Sequence, residues 1–557
     1  MTTFDWIIVV VVNASVIAYG IYLARGTKTS GEWFLGNRAL PWWLVGLSMF
    51  ATNVDNFDLV SMGGTGSVEG FHVLTVHSLG SVIAGILVAF FIAPALYRAG
   101  LFTNAEYLEA RFGRSARALS ALIQIQYRAN VLGLMMWSII LLLMALVDLT
   151  EQQALAVVIV LVVFSALYTA WGGLRSVVIT DALQGVVMMA GAIVVFVAVW
   201  TAAGGWTGME AKLEAISAAE VKGLKCDAPK DLTRVSSYRG ASGSTSPFVV
   251  VLGWIIIAGG YWTVNHTQMM RLLGTRSLWD MRVAALCGTA ISLPIMIVAI
   301  MIGFFGRALH PELEHADEIF PFLANRYLVF PGLKGVVVAA LIAAAVSTFD
   351  SMGSALSAVF TRDLYARFFV RNRGDAHYVA VGRIATCAVL GLGFLYLPFI
   401  KSQSTMLGSF VTLISVFVTP LFVLYVAGAM TRTHPRSGIV GLLAVTAYGL
   451  VALCDREQIW APWLPGWVTG KWAAFLWSVG VTAAAMAVTT LLLGPKRVEP
   501  PGAAATSSSG WLARSSAQLP PLREHPFRDR VPRLLNPVWI AGALLALSAY
   551  LVFVVFW

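Results

Sequence analysis

From Phe4 to Trp557 the chain returns repeatedly to apolar runs of about 20 residues, each long enough as a helix to cross a hydrocarbon core of roughly 30 Å. About fourteen such runs can be marked, at 5–24, 43–66, 72–97, 116–147, 153–171, 177–203, 248–270, 281–305, 333–360, 378–400, 404–430, 437–454, 472–494 and 536–556. Of 557 residues, 58% are hydrophobic and only 12% charged, against about 25% charged in soluble domains. Lipid is therefore the solvent for most of the sequence, and the expected class is an all-α polytopic membrane protein with about 14 transmembrane helices. The first run has no basic segment before it and no small-residue cleavage site after it, so it is expected to be a retained helix.

Loop charges set an orientation. With the amino terminus outside, Arg25, Lys28, Arg38, Arg98, Arg111, Arg114, Arg117, Arg175, Arg271, Arg276, Arg282, Arg362, Arg367, Arg371, Arg373, Arg432, Arg436, Lys496 and Arg497 fall on the cytoplasmic side. The short loops opposite, near 67–71, 148–152 and 401–403, offer only Lys401. That is the positive-inside pattern of a bacterial inner-membrane protein with both termini outside. The net charge of +10 then follows from topology and anionic lipid, and calls for no nucleic-acid partner. Cys226, Cys287, Cys387 and Cys454 stand singly, which excludes a zinc or redox pair by local motif. With no nucleophile–base pair and no His-x-x-x-His spacing, an intramembrane enzyme is not expected.

Two hydrophilic stretches interrupt the pattern. Residues 204–247 are rich in Gly, Ser and Lys and are read as an external loop. Residues 495–535 form a basic Pro/Ser-rich cytoplasmic linker, read as flexible and in touch with lipid headgroups. Neither is apolar enough to build a core of its own.

Polar groups inside the spans carry the chemistry, because a charge at mid-bilayer costs at least about 2.5 kcal/mol and calls for a partner or a function. Asn53, Asp55, Asn56 and Asp58 crowd six positions of the second span, ahead of Gly63-Gly-Thr-Gly66. Asp and Asn compete with helical hydrogen bonds, so this helix is predicted to break and expose carbonyls, as cation-binding transporter helices do. In the ninth span Ala344, Ser347 and Thr348 lie at i, i+3 and i+4, putting one carbonyl and two hydroxyls on one face. Oxygen-only ligation suits a hard monovalent cation such as sodium; close helix packing would use the same small residues. Asp181 lies about one and a half turns into the sixth span, where a cation or an arginine would satisfy it. Arg128, midway along the fourth span, calls for a carboxylate from Asp55, Asp58 or a substrate. His77 alone reads as a structural histidine, and the role of Asp350 stays open.

Several segments together resemble the sodium:solute symporter family, which includes sodium/galactose, proline, pantothenate and sialic-acid symporters. They are Gly31-Glu-Trp-Phe-Leu-Gly-Asn-Arg38 leading into Trp42-Trp43, Thr103 to Gly113, Trp171-Gly-Gly-Leu through Thr180-Asp181 and Gln184, and Ser347-Thr-Phe-Asp-Ser351 running to Asp363-Leu-Tyr365. The resemblance implies a LeuT-like core of two inverted five-helix repeats, with one extra N-terminal helix and about three extra C-terminal helices. The layout would be 1–42 as an extra helix and cytoplasmic loop, 43–203 and 248–430 as the repeats around the 204–247 loop, 431–494 as accessory helices, the 495–535 linker, and 536–557 as the terminal helix.

By matching positions, the resemblance implies a sodium site of the carbonyls of Ala51, Val54 and Ala344 and the hydroxyls of Ser347 and Thr348. It places Asp181 at a second sodium site or on the exit path, and makes Tyr261 the inner gate of the pocket. The pocket departs from the sugar pattern: Asp58 and His77 stand where sugar-type members carry glutamine and glutamate, and Ala258 replaces an asparagine. Arg128 falls close to the arginine that sialic-acid-type members use for a carboxylate. The expectation is a sodium-coupled symporter whose solute, a zwitterion or a hydroxylated organic acid, meets Asn53, Asp55, Asp58, His77, Arg128 and Tyr261. A sugar substrate, proton coupling through Asp58, Asp181 or Asp350, and a solute sensor with 495–535 as output are the alternatives.

Overall fold

Apolar runs of this length bury their backbone most directly as helices, and the structure, a computed structural model, is built of them. It describes the chain apart from residues 25–28, 225, 236–246, 402–405, 457–463, 471–472, 497–510, 513–514, 516–518 and 526–534. In order, the main helices are α1 (Thr3–Ala24), α2 (Ser30–Leu35), α3 (Trp42–Asn53), α4 (Asn56–Glu69), α5 (His72–Arg98), α6 (Asn104–Phe112), α7 (Arg114–Val147), α8 (Glu151–Ala203) and α9 (Gly205–Ala215). There follow α10 (Pro247–Val264), α11 (His266–Leu273), α12 (Leu278–Leu309), α13 (Ile319–Tyr327), α14 (Leu333–Phe369), α15 (Asp375–Lys401), α16 (Met406–Met430), α17 (Ser437–Arg456), α18 (Ala473–Leu493) and α19 (Pro537–Val555). Among the described residues, 9 helices are long and apolar enough to cross a membrane, and shorter apolar helices run over Val251–Val264, Phe417–Met430 and Ser437–Ala452.

The difference from fourteen separate runs has physical causes. The runs at 153–171 and 177–203 join in α8, whose 53 residues would reach about 80 Å if straight. The helix is not straight: Gly173 has φ 64° and ψ 179°, a left-handed value that favours glycine. A Cβ there would also stand 3.0 Å from the Trp33 Cα. Side chains 165 and 169 before the break, and 181 after it, all bond to positions 347–351 of α14. Two segments that meet one turn of a third helix lie side by side, so α8 packs as two segments about Gly173.

The runs at 43–66 and 248–270 are both interrupted. The first breaks between α3 and α4, as predicted. The second, expected as one continuous run, breaks at Asn265. Asn265 leaves the helix (φ −68°, ψ 102°) and its side-chain oxygen accepts the Thr267 N–H at 3.1 Å, an N-cap that restarts the chain as α11.

Glycines let the first broken helix close on its neighbour. A Cβ on Gly303 of α12 would lie 2.0 Å from the Gly63 carbonyl of α4, so α4 and α12 approach backbone to backbone, as small residues permit in membranes. Arginines counted above as loop charges behave otherwise. Arg117, Arg271 and Arg362 are all buried and make ion pairs inside the protein, because each finds a carboxylate that a lipid-facing position would lack.

A candidate solute and cation site between broken helices

The site begins with the break in the first pair. Val54 and Asp55 are extended, at φ −116°, ψ 124° and φ −145°, ψ −168°. Asp55 Oδ1 accepts the N–H groups of Phe57 at 2.8 Å and Asp58 at 3.4 Å, while Asp58 Oδ2 accepts the Asp55 N–H at 3.2 Å. This reciprocal capping box has a consequence for the carbonyls. In an unbroken helix the Asp55 and Asp58 amides would bond to the Ala51 and Val54 carbonyls. Turned to each other's carboxylates, they leave those two oxygens without their helical donors.

Ala51 and Val54 are two of the three carbonyl contributors expected for sodium. The third, Ala344, lies on α14 with Ser347 and Thr348, and all five residues are at most 1% exposed. Thr52 Oγ1 and Ser351 Oγ lie 3.2 Å apart, which fastens α3 to α14 at this level. The Thr348 hydroxyl is buried beside the Asp55 carboxylate across the break.

Asp181 is brought to the same place. Its Oδ1 accepts from Ser347 Oγ at 2.7 Å, and its Oδ2 from Ser48 at 3.0 Å, Ser351 at 3.0 Å and Arg271 Nη2 at 2.5 Å. Arg271 also donates through Nε to Ser48 Oγ at 2.8 Å and through Nη1 to the Thr267 carbonyl. The partner that Asp181 needed is therefore an arginine on α11. Sequence reasoning missed both Arg271 and Ser48; the signal was there in Ser48 and Thr52, one turn apart on the helix that carries Ala51. Asp350 faces elsewhere: Ser165 and Thr169 donate to its Oδ1, Thr169 at 2.8 Å.

Beside the break lies a cavity with about 650 Å³ of empty space, its opening to solvent included, lined by Asn53, Asp55, Asp58, Arg128 and Tyr261 among others. Five of the six expected solute residues thus share one space. The side chain of the sixth, His77 on α5, lies outside the described residues. Asn53 Nδ2 donates to Ser292 Oγ at 3.1 Å. Tyr261 Oη donates to the Thr52 carbonyl at 2.8 Å, tying the two broken helices together at the cavity floor. Trp254, Trp262, Phe57, Phe410 and Ala258 belong to the apolar part of the wall; aromatic planes there can cover the apolar face of a small solute.

Arg128 lies within electrostatic reach of the Asp55 carboxylate and of Tyr127. It is 1% exposed, and Nε, Nη1 and Nη2 have no hydrogen-bond partner among the described residues. Its guanidinium carbon stands 5.6 Å from the ring centres of both Tyr127 and Tyr261, within cation–π range.

A cluster of buried charges ties three helices together away from the cavity lining. Arg117 reaches Glu106 at 3.2 Å, Glu109 at 2.7 Å and Asp363 at 2.8 Å, and Arg362 reaches Glu106 at 3.1 Å. These residues come from the ends of α6, α7 and α14.

A helical membrane protein with a polar cavity between two broken helices is a transporter by class. The chain matches the profile of the Sodium:solute symporter family over residues 33–439. It is 27% identical over 477 residues to the sodium/glucose cotransporter 4 of Danio rerio, a match covering 81% of this chain and 71% of that protein. Sodium/myo-inositol cotransporter 2 of Rattus norvegicus is 26% identical over 476 residues, covering 81% and 70%. A Na+-coupled sialic acid symporter in a substrate-bound outward-open state superposes with a TM-score of 0.74, at 18% identity, over 89% of this chain and 99% of the other. Mhp1, a nucleobase-cation-symport-1 family transporter, gives a TM-score of 0.51 at 14% identity over 83% and 95%. This chain belongs to the sodium:solute symporter family. It is a multi-pass membrane transporter that couples a small solute to sodium, and it is not an enzyme.

Proposed function

We propose that this symporter imports a small polar solute, either a zwitterion or a hydroxylated organic acid, into a bacterial cell across the inner membrane, with both chain termini outside. The observation that carries the proposal is Arg128: a buried guanidinium with no hydrogen-bond partner among the described residues, facing a cavity, is poised for a planar carboxylate that it can hold with two parallel bonds. Asp55 Oδ1 and Asp58 Oδ2 are committed to the helix caps, which leaves Asp55 Oδ2 and Asp58 Oδ1 to meet an ammonium or hydroxyl groups. Asn53, His77 and Tyr261 complete the solute contacts. Sodium takes the carbonyls of Ala51, Val54 and Ala344 and the hydroxyls of Ser347 and Thr348.

Residues 43–203 and 248–430 are assigned as two inverted repeats, each opened by a broken helix. Sodium entering from outside draws α3 and α14 together and completes the solute pocket, after which the pair of ligands favours rocking to the inward-facing state. Of the two roles open to Asp181, the exit path is preferred, because Arg271 already balances its charge.

The test is uptake of radiolabelled amino acids, sugars and carboxylates in proteoliposomes, with and without a sodium gradient. Arg128→Ala should cut uptake of a carboxylate solute at least about tenfold, equivalent to about 1.4 kcal/mol; normal uptake removes Arg128 from the pocket. A second reading, a sugar or polyol substrate, is favoured by the names of the glucose and myo-inositol relatives. Sodium-driven uptake confined to uncharged sugars would select it.

A further inference from the structure

Asp350 is a buried acid that the proposed transport site does not use. Its side chain meets two hydroxyls on the first segment of α8, those of Ser165 and Thr169, one helical turn apart, and all three residues are at most 1% exposed. Both hydroxyls donate to Oδ1, Thr169 at 2.8 Å. Asp350 Oδ2 is buried with no hydrogen-bond partner among the described residues.

Asp181, held against the same turn of α14, shows what Asp350 lacks. Serine hydroxyls surround that carboxylate too, but Arg271 balances its charge. Among the described residues no cationic side chain pairs with Asp350. Arg383 comes from α15, which packs on both α8 and α14, and its Nε turns to the Ala170 carbonyl at 3.1 Å.

A carboxylate buried without a counter-charge is costly enough that it takes up either a proton or a cation. A proton would have to sit on Oδ2, since Oδ1 already accepts two bonds, and there it would be a buried donor with no described acceptor. A cation finds the reverse. Oδ2 offers free lone pairs, and the Ser165 and Thr169 oxygens keep theirs after each has given its one hydrogen to Oδ1. Hard oxygens around a single negative charge suit a monovalent alkali cation; calcium takes more oxygens and softer metals take other ligands. None of the three residues lines the solute cavity, so an ion held here is off the solute's route.

We propose that Asp350, Ser165 and Thr169 hold a resident monovalent alkali cation that is not transported and that clamps the first segment of α8 to α14. It supplies no driving force. It braces the helix that carries Ser347 and Thr348 from the side away from α3.

The experiment uses the full purified chain carrying Ser347→Ala and Thr348→Ala, so that sodium at the proposed transport site does not contribute. Amide hydrogen exchange at 162–172 and 346–354 is followed in sodium, potassium or choline chloride at equal ionic strength. Sodium or potassium, at about ten times its Kd, is expected to slow exchange about tenfold relative to choline; which of the two does so identifies the ion. Adding Asp350→Asn, which still offers an oxygen to both hydroxyls, should abolish that difference and slow exchange in choline, because the uncompensated charge is gone. Equal exchange in all three salts overturns the proposal, and so does an ion effect that survives Asp350→Asn. If that variant fails to fold, Thr169→Val carries the test: the ion effect should shrink at least about threefold, and an undiminished effect overturns the site. An unsubstituted chain with no more sodium protection than the Ser347→Ala, Thr348→Ala chain would instead count against the sodium site between α3 and α14.

Discussion

Replacing Arg271 alone leaves Asp181 as a carboxylate buried in the protein without its only cationic partner among the described residues. Breaking one half of such a pair costs about 3–5 kcal/mol, whereas replacing both halves by neutral groups of similar shape is often tolerated. Arg271→Gln should therefore lower the thermal unfolding midpoint of the detergent-purified chain sharply. Asp181→Asn combined with Arg271→Gln should recover most of the loss, because hydroxyls of Ser48, Ser347 and Ser351 can still bond to an amide. A double variant no more stable than the single one would show that the pair is not the dominant interaction. The sequence made Asp181 legible as a buried acid in need of a partner, since one carboxylate in an apolar run stands out. It hid the partner: Arg271 sits where a helix nears the membrane boundary, and by position alone it looks like one more loop arginine.

At the scale of elements, the first broken helix could be read in advance and the second could not. Four Asn and Asp residues in six positions overload a helix with side chains that compete for its backbone, while the break at Asn265 rests on a single cap. The start of α14 depends on a contact that no local pattern announces. Asp5 of α1 accepts the N–H groups of Gly332 and Gly335, each at 2.9 Å, so the first helix caps the helix that carries Ser347. Loss of a cap typically costs about 0.5–2 kcal/mol. Asp5→Ala should therefore raise hydrogen exchange at 332–336 about tenfold, the equivalent of about 1.4 kcal/mol. Protection equal to that of the unsubstituted chain would mean that packing of α1, and not its carboxylate, holds that end. Composition likewise says nothing of Trp511, whose buried indole stacks on Tyr378 with ring centres 3.9 Å apart and meets Phe34 edge-on.

For the molecule as a whole, the question is how much work sodium can do. A membrane potential of about 100 mV contributes roughly 2.3 kcal/mol per charge, and a tenfold sodium gradient about 1.4, so one ion can drive a neutral solute to roughly 500-fold accumulation. That work reaches the solute only if the ion bridges α3 and α14, the role proposed for the Ala51 and Val54 carbonyls freed at the break and for the hydroxyls of Ser347 and Thr348. Ser347→Ala with Thr348→Ala removes two of the five proposed ligands from α14 and leaves the Arg271–Asp181 pair intact. In proteoliposomes under a clamped potential this variant should still equilibrate the solute found by the uptake screen, yet accumulate it no more than about onefold over the outside, because without the ion no free energy enters the cycle. Accumulation that stays sodium-driven and hundreds-fold would move the coupling ion away from α14 and take the proposed site with it.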